Sequence, residues 1–308
     1  MKNLGKMDLI KGIEIFLELN KKKVVTYEEA EIMFNILNSA DLKAVQNYGA
    51  YTEKEQWLFE IFSKRLYGPV GAWHERVHPE YFEGVKRLGL GFNLFEIYEV
   101  SRRMESFTGF GLYPVPGHTK EPIFILGLRK KRFPMTMWFR DEKDLDYIEE
   151  PEMGHEGPGH SPLLTNQPYA DATVDFANAY FNLHNNLPKS SFDIFTEAMA
   201  RFYWWTFEFG LTKYKGENRI YGCGIASSYG ETLYCLTDEA EKYELPNDPV
   251  EAVKILIDTP FKLDEHTKNE SGQEYFRKYF ITPNFGHFCE MNSVLEKVVG
   301  EKIIKEFS

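Results

Sequence analysis

His155 and His160 stand in the acidic run Glu149-Glu150-Pro151-Glu152-Met153-Gly154-His155-Glu156-Gly157-Pro158-Gly159-His160-Ser161-Pro162. A third candidate ligand, Glu208, follows in Phe202-Tyr203-Trp204-Trp205-Thr206-Phe207-Glu208-Phe209-Gly210. On an unbroken α-helix, side chains five residues apart diverge by about 140°, so a regular helix cannot turn both rings toward one ion. Gly157-Pro158-Gly159 lies between them, and proline disfavours helical geometry at the residue before it while glycine admits almost any turn. The backbone can therefore bend until the rings converge. Glu208, set among aromatics, is expected to be buried, and a buried carboxylate must be protonated, paired or bound to a metal. Two neutral imidazoles and one carboxylate, with positions left open, form the facial set typical of non-haem Fe(II) oxygenases; the same set can hold zinc.

The elements that must position these groups are mostly helical, with a few short strands, which gives an α+β chain. Residues 1–50 read as a helical N-terminal extension. Leu9, Ile10, Ile13, Ile15, Phe16 and Leu17 form an apolar stripe, and Thr26-Tyr27-Glu28-Glu29 is a capping box. Thr52 caps a helix over 53–62, and a second runs over 79–89. Residues 110–128 read as a short strand passing into a loop. Helices are expected over 169–183, 192–209, 230–242 and 249–257, with Asp248 capping the last and Gly210 stopping the one that carries Glu208. A polar surface loop is expected over 264–273 and a strand over 279–281. His74 and His78, four apart, read as a surface pair because no further ligand adjoins them. No repeat or linker divides residues 51–308, which read as one catalytic unit.

Composition narrows the function class. The chain has 308 residues, is 43% hydrophobic and carries a net charge of −11, which argues for a globular fold and against a general nucleic-acid binder. Cys223, Cys235 and Cys289 are too few and too scattered for a disulfide framework and suit a reducing cytoplasm. No apolar run reaches the ~18 residues of a membrane span. The 25 Phe and 18 Tyr residues suit an aromatic-lined pocket as well as a core.

Four blocks in order carry a resemblance: Glu150-Pro151-Glu152-Met153-Gly154-His155-Glu156, Gly159-His160-Ser161-Pro162, Tyr203-Trp204-Trp205-Thr206-Phe207-Glu208-Phe209-Gly210-Leu211, and Tyr221-Gly222-Cys223-Gly224-Ile225-Ala226-Ser227-Ser228-Tyr229-Gly230-Glu231. Together they resemble the catalytic domain of the pterin-dependent aromatic amino acid hydroxylases. With Arg132-Phe133-Pro134-Met135-Thr136-Met137-Trp138-Phe139-Arg140, the likeness is greatest to the short bacterial phenylalanine 4-hydroxylases, from about Tyr51 to about Phe285. The resemblance implies that family's catalytic-domain fold, with Fe(II) on His155, His160 and Glu208. It also implies a tetrahydropterin such as tetrahydrobiopterin, O2 as co-substrate, and hydroxylation of L-phenylalanine to L-tyrosine. Tryptophan or tyrosine hydroxylation is the alternative within the family. By the same resemblance Gly117, His118 and Thr119 present backbone groups to the pterin, Phe124 stacks on it, and Glu156 faces it. Trp204 lines the amino acid pocket with Ser227, whose hydroxyl lies near a ligating histidine, and Tyr203 is close to the iron. Arg140 stands where the family keeps the arginine for the substrate carboxylate, a task its planar fork suits. Two departures bear on substrate choice: Gly157-Pro158 replaces a bulkier apolar pair, and Ile148-Glu149 stands where animal relatives have Thr-Pro.

A zinc hydrolase is the rival from another class, but His-Glu-x-x-His puts its ligands four apart on one helical face and here they are five apart. A non-catalytic metal- or pterin-binding protein with the same fold is the other rival, and metal analysis with O2 uptake separates the three. The expectation is a cytoplasmic monomer whose partners are small molecules, an aromatic amino acid and a pterin, with no nucleic acid and no membrane.

Overall fold

The computed structural model describes residues 6–22, 25–146, 148, 150–262, 266–268 and 274–306. The chain divides into two compact units, Met1–Ser63 with Phe82–Ala170, and Lys64–Tyr81 with Asp171–Ser308.

In the first unit, α1 (Lys6–Lys21) is followed by α2 (Tyr27–Asn38), which starts at the expected capping box: Thr26 accepts from the Glu29 amide while the Glu29 side chain accepts from the Thr26 amide. The expected stripe on α1 cannot be followed at Leu9, Ile10 and Ile13, whose side chains lie outside the described residues. α2 buries Ala30, Met33, Phe34 and Leu37. Each large apolar side chain so removed from water contributes about 1.5–3 kcal/mol before chain entropy is set against it. β1 (Gly111–Pro114) pairs in parallel with β2 (Arg132–Met135), and a helix, Glu121–Arg129, joins them. That helix corrects the loop expected through 128. Pro122 sits in its first turn, where a fixed φ and a missing N–H are harmless, and Ile123, Ile125, Leu126 and Leu128 are buried beneath it. Phe59, Phe62 and Phe139 meet edge to face or tilted at 5.2–6.1 Å in the core of this unit.

The second unit holds β3 (Gly210–Tyr214), β4 (Glu217–Ile220), β5 (Glu241–Glu244) and, beyond the hairpin of β6 (His266–Lys268) and β7 (Glu274–Phe276), β8 (Lys278–Thr282). The sheet order is β4-β3-β8-β5, antiparallel between β3 and β4 and parallel elsewhere. Helices Phe192–Tyr203, Pro249–Asp258 and Phe285–Glu306 pack together beside it. Asp248 caps its helix as expected, accepting from the Val250 amide at 2.8 Å. The helix expected over 230–242 spans only Tyr229–Tyr234, because Glu241–Glu244 is drawn into the sheet against Lys278–Ile281. Pairing with a distant strand outweighs a local propensity of a few tenths of a kcal/mol per residue. Of the expected polar loop 264–273, the described part is strand β6; the rest lies outside the described residues. His78 is not on the surface: it is buried and stacked on Phe285 at 4.4 Å, and burial pushes its pKa down to about 4. Among the described residues, no helix is long and apolar enough to cross a membrane.

Candidate active site

The segment His155–His160 is a π-helix, not a break. The Ser161 amide reaches the Glu156 carbonyl, five residues back, at 3.2 Å, and shares itself with the Gly157 carbonyl. A turn widened to i→i+5 spacing brings residues five apart onto neighbouring positions, and such turns recur at functional sites. The Nε2 atoms of His155 and His160 stand 3.0 Å apart. Two nitrogens each ~2.1 Å from one ion and roughly at right angles would be ~3 Å apart. Glu208 ends a second π-helical turn, Trp204–Glu208, closed by the Phe209 amide on the Trp204 carbonyl at 2.9 Å. This turn corrects the uninterrupted α-helix expected over 192–209. Among the described residues, His155, His160 and Glu208 form a group that could hold a metal ion, with their ligand atoms all within 4.8 Å of one another. Two imidazole nitrogens and a carboxylate oxygen at these spacings fit a first-row transition metal with open positions.

Glycines around Glu208 have packing roles that periodicity does not reveal. A Cβ on Gly222 would lie 2.4 Å from the Glu208 carbonyl oxygen, and one on Gly224 would lie 3.0 Å from Glu208 Oε2. Only glycine lets this strand-to-helix turn press on the carboxylate. The turn is fastened by Trp73 Nε1 donating to the Ala226 carbonyl at 2.8 Å and by Tyr81 Oη donating to the Tyr221 carbonyl at 3.1 Å. Burial, with Cys223 beside it, raises the Tyr81 hydroxyl well above its ordinary pKa. Gly210 does not act as a left-handed helix stop: its φ is not positive, and a Cβ there would meet the Tyr221 ring at 2.3 Å. Ser227 is buried, with Oγ 3.3 Å from the Gly224 carbonyl.

Arg140 is 2% exposed and lies over the Phe62 ring at 4.7 Å. Its Nε donates to Glu152 Oε1 at 2.9 Å and Nη2 donates to the same oxygen. Glu152 also accepts from the His155 amide at 2.9 Å and, on Oε2, from the Gly154 amide at 2.7 Å. One buried carboxylate thus ties Arg140 to the start of the turn that carries both histidines, and its charge is matched by donors on each oxygen. Sequence reasoning passed over Glu152; its place three residues before His155, at a helix start, was the available signal. Thr136 was missed without any such signal. Its amide and hydroxyl both donate to Glu156 Oε2, the hydroxyl at 2.9 Å. Burial pushes the Glu156 carboxyl up to about 8 against the pull of these bonds.

The expected pterin residues lie in the first unit. A Cβ built on Gly117 would meet nothing within 4 Å among the described residues, His118 is exposed and Thr119 is half-buried. Half-buried Phe124 meets Phe133 edge-on at 6.0 Å, and Phe133 in turn lies 4.7 Å from the His160 ring. At Gly157, which replaces a bulkier apolar residue of the family pattern, a Cβ would collide with the Phe95 ring at 2.3 Å, so Phe95 fills that volume. In the second unit, half-buried Trp204 stacks on Phe261 at 5.1 Å, while Tyr203 stacks on Phe207 at 5.0 Å.

Residues 73–290 match the biopterin-dependent aromatic amino acid hydroxylase family. The chain is 28% identical to phenylalanine-4-hydroxylase of Mesorhizobium japonicum over 80% of its own length and 81% of that protein. It is 36% identical to human tyrosine 3-monooxygenase over 69% of its length and 38% of that protein. A solved structure of phenylalanine hydroxylase from Legionella pneumophila superposes with a TM-score of 0.68 at 28% identity, covering 83% of this chain and 92% of that one. The matched segment takes in Arg140, both histidines and Glu208, and the chain belongs to the biopterin-dependent aromatic amino acid hydroxylase family.

Proposed function

We propose that this protein hydroxylates L-phenylalanine to L-tyrosine with O2, using a tetrahydropterin and an iron ion held by His155, His160 and Glu208. The observation that carries this reading is the convergence of the two imidazoles, 3.0 Å apart, with the Glu208 carboxylate, all three ligand atoms lying within 4.8 Å of one another. Pterin and iron together supply what side chains lack, two reducing electrons and activation of O2.

The protein's own groups bind, orient and exclude water. Arg140, held by Glu152, receives the substrate carboxylate. Trp204 and Ser227 flank the amino acid, and Tyr203 borders the metal side. Gly117, His118 and Thr119 offer backbone groups to the pterin, Phe124 stacks on it, and Glu156, kept in place by Thr136, faces it. In this reading residues 51–308 are the catalytic part and 1–50 an extension, and the protein is a cytoplasmic monomer that acts on small molecules and not on nucleic acid.

The test is the ratio of kcat/KM values for phenylalanine, tyrosine and tryptophan with Fe(II) and saturating 6-methyltetrahydropterin. Phenylalanine should lead, with slow tryptophan turnover tolerated because a misfit of one methylene is worth only ~1–3 kcal/mol. Preference for tyrosine, the reading that the 36% identity to human tyrosine 3-monooxygenase would favour, overturns the substrate assignment and leaves the reaction class standing. Inertness with Fe(II) and hydrolysis with Zn(II) overturns both.

A further inference from the structure

The family match begins at residue 73, so α1 and α2 lie outside it. They nevertheless hold the stretch read above as the pterin loop. Asn20, in the last turn of α1, donates from Nδ2 to the main-chain carbonyl of His118 at 2.8 Å, a bond that spans 98 residues of sequence. Its Oδ1 is shielded from water and has no hydrogen-bond partner among the described residues. The half-buried side chain is thus fixed by its bond to the loop.

α2 braces both flanks of the same loop. It packs along the helix Glu121–Arg129, which carries Phe124. Phe34 meets Tyr113 edge-on at 5.2 Å, on the strand that leads into the loop, and Glu31 pairs with Lys130 at 3.2 Å just past the helix. Between these flanks Gly117 and His118 face open space and solvent, and the Asn20 bond anchors the His118 carbonyl from outside.

We infer that the N-terminal extension is a brace for the pterin loop and that Asn20 is a positioning residue for the tetrahydropterin. The inference rests on the pterin reading of residues 117–124 and gives the extension its role. The experiment compares wild type, Asn20→Ala and Asn20→Gln as full chains. Calorimetry reads binding of 7,8-dihydrobiopterin and of Co(II), steady-state kinetics reads the phenylalanine KM, and hydrogen exchange reads the amides of residues 115–120.

In Asn20→Ala the dihydrobiopterin Kd should rise about 2- to 10-fold, the effect of one lost hydrogen bond, and loop exchange should quicken. Co(II) affinity and phenylalanine KM should hold, and Asn20→Gln, which keeps an amide donor, should recover part of the loss. Unchanged dihydrobiopterin binding and unchanged loop exchange overturn the inference. So does an equal fall in pterin, metal and phenylalanine binding, which marks general destabilisation. If wild type binds no pterin but the loop still loosens in Asn20→Ala, the brace stands and the pterin reading fails.

Discussion

Glu231 is 2% exposed, and burial pushes its carboxyl up to about 7 in spite of two donors, the Phe276 amide on Oε1 at 2.9 Å and the Tyr279 hydroxyl on Oε2. The unfolded chain ionises this group at 4.5. Between those pH values the folded protein keeps a proton that the unfolded chain gives up, so the contribution to stability is full below about pH 4.5 and is lost as pH rises through about 7. The difference amounts to about 3 kcal/mol at ~1.4 kcal/mol per pH unit. Glu231→Gln keeps the shape, an oxygen for the Phe276 amide and an NH2 for the tyrosine oxygen, and cannot ionise. Urea melts followed by tryptophan fluorescence should therefore find Glu231→Gln close to wild type at pH 5 and more stable at pH 8. The gap should open by about 2–3 kcal/mol, which in a chain of this size is on the order of 4–5 °C in Tm. The reasoning is refuted if the gap is the same at both pH values, or if the glutamine variant is the less stable one at pH 8.

Glu208→Ala should lose tightly held iron, since two histidines alone make a weak site; one equivalent of iron retained after chelation and reloading would remove Glu208 from the ligand set. Gly224→Ala puts a methyl group 3.0 Å from Glu208 Oε2, so Co(II) affinity should fall about 10-fold or more, as it does when groups that orient a ligand are disturbed. Unchanged affinity would show that the carboxylate has room to move. Arg140→Lys keeps the charge but loses the fork that grips Glu152, so phenylalanine KM should rise substantially while pterin KM changes little. An unchanged phenylalanine KM would place the substrate carboxylate elsewhere.

Much of this molecule is legible residue by residue. The capping box at Thr26 and Glu29, the cap at Asp248, the metal-ligating types at 155, 160 and 208, and the ordered blocks that match the hydroxylase family are all properties of short stretches. They depend on hydrogen bonds and periodicities within a few residues of themselves. The interval of five between the histidines stated a problem, two rings that cannot share one side of a regular helix, and Gly157-Pro158-Gly159 pointed toward a bend. That the answer is a π-turn with its histidine nitrogens 3.0 Å apart was decided by the fold: Glu152 caps the turn from Arg140, and Phe95 occupies the space that glycine leaves at 157. The glycines at 222 and 224 stand in sequence only as members of a matching block and prove to be contacts with Glu208. Residues 110–128 look like strand and loop, yet contain a helix that is stable because α2, about 90 residues earlier, covers it. In each case the deciding partner is distant along the chain, and close packing admits one arrangement only after the chain has folded back on itself.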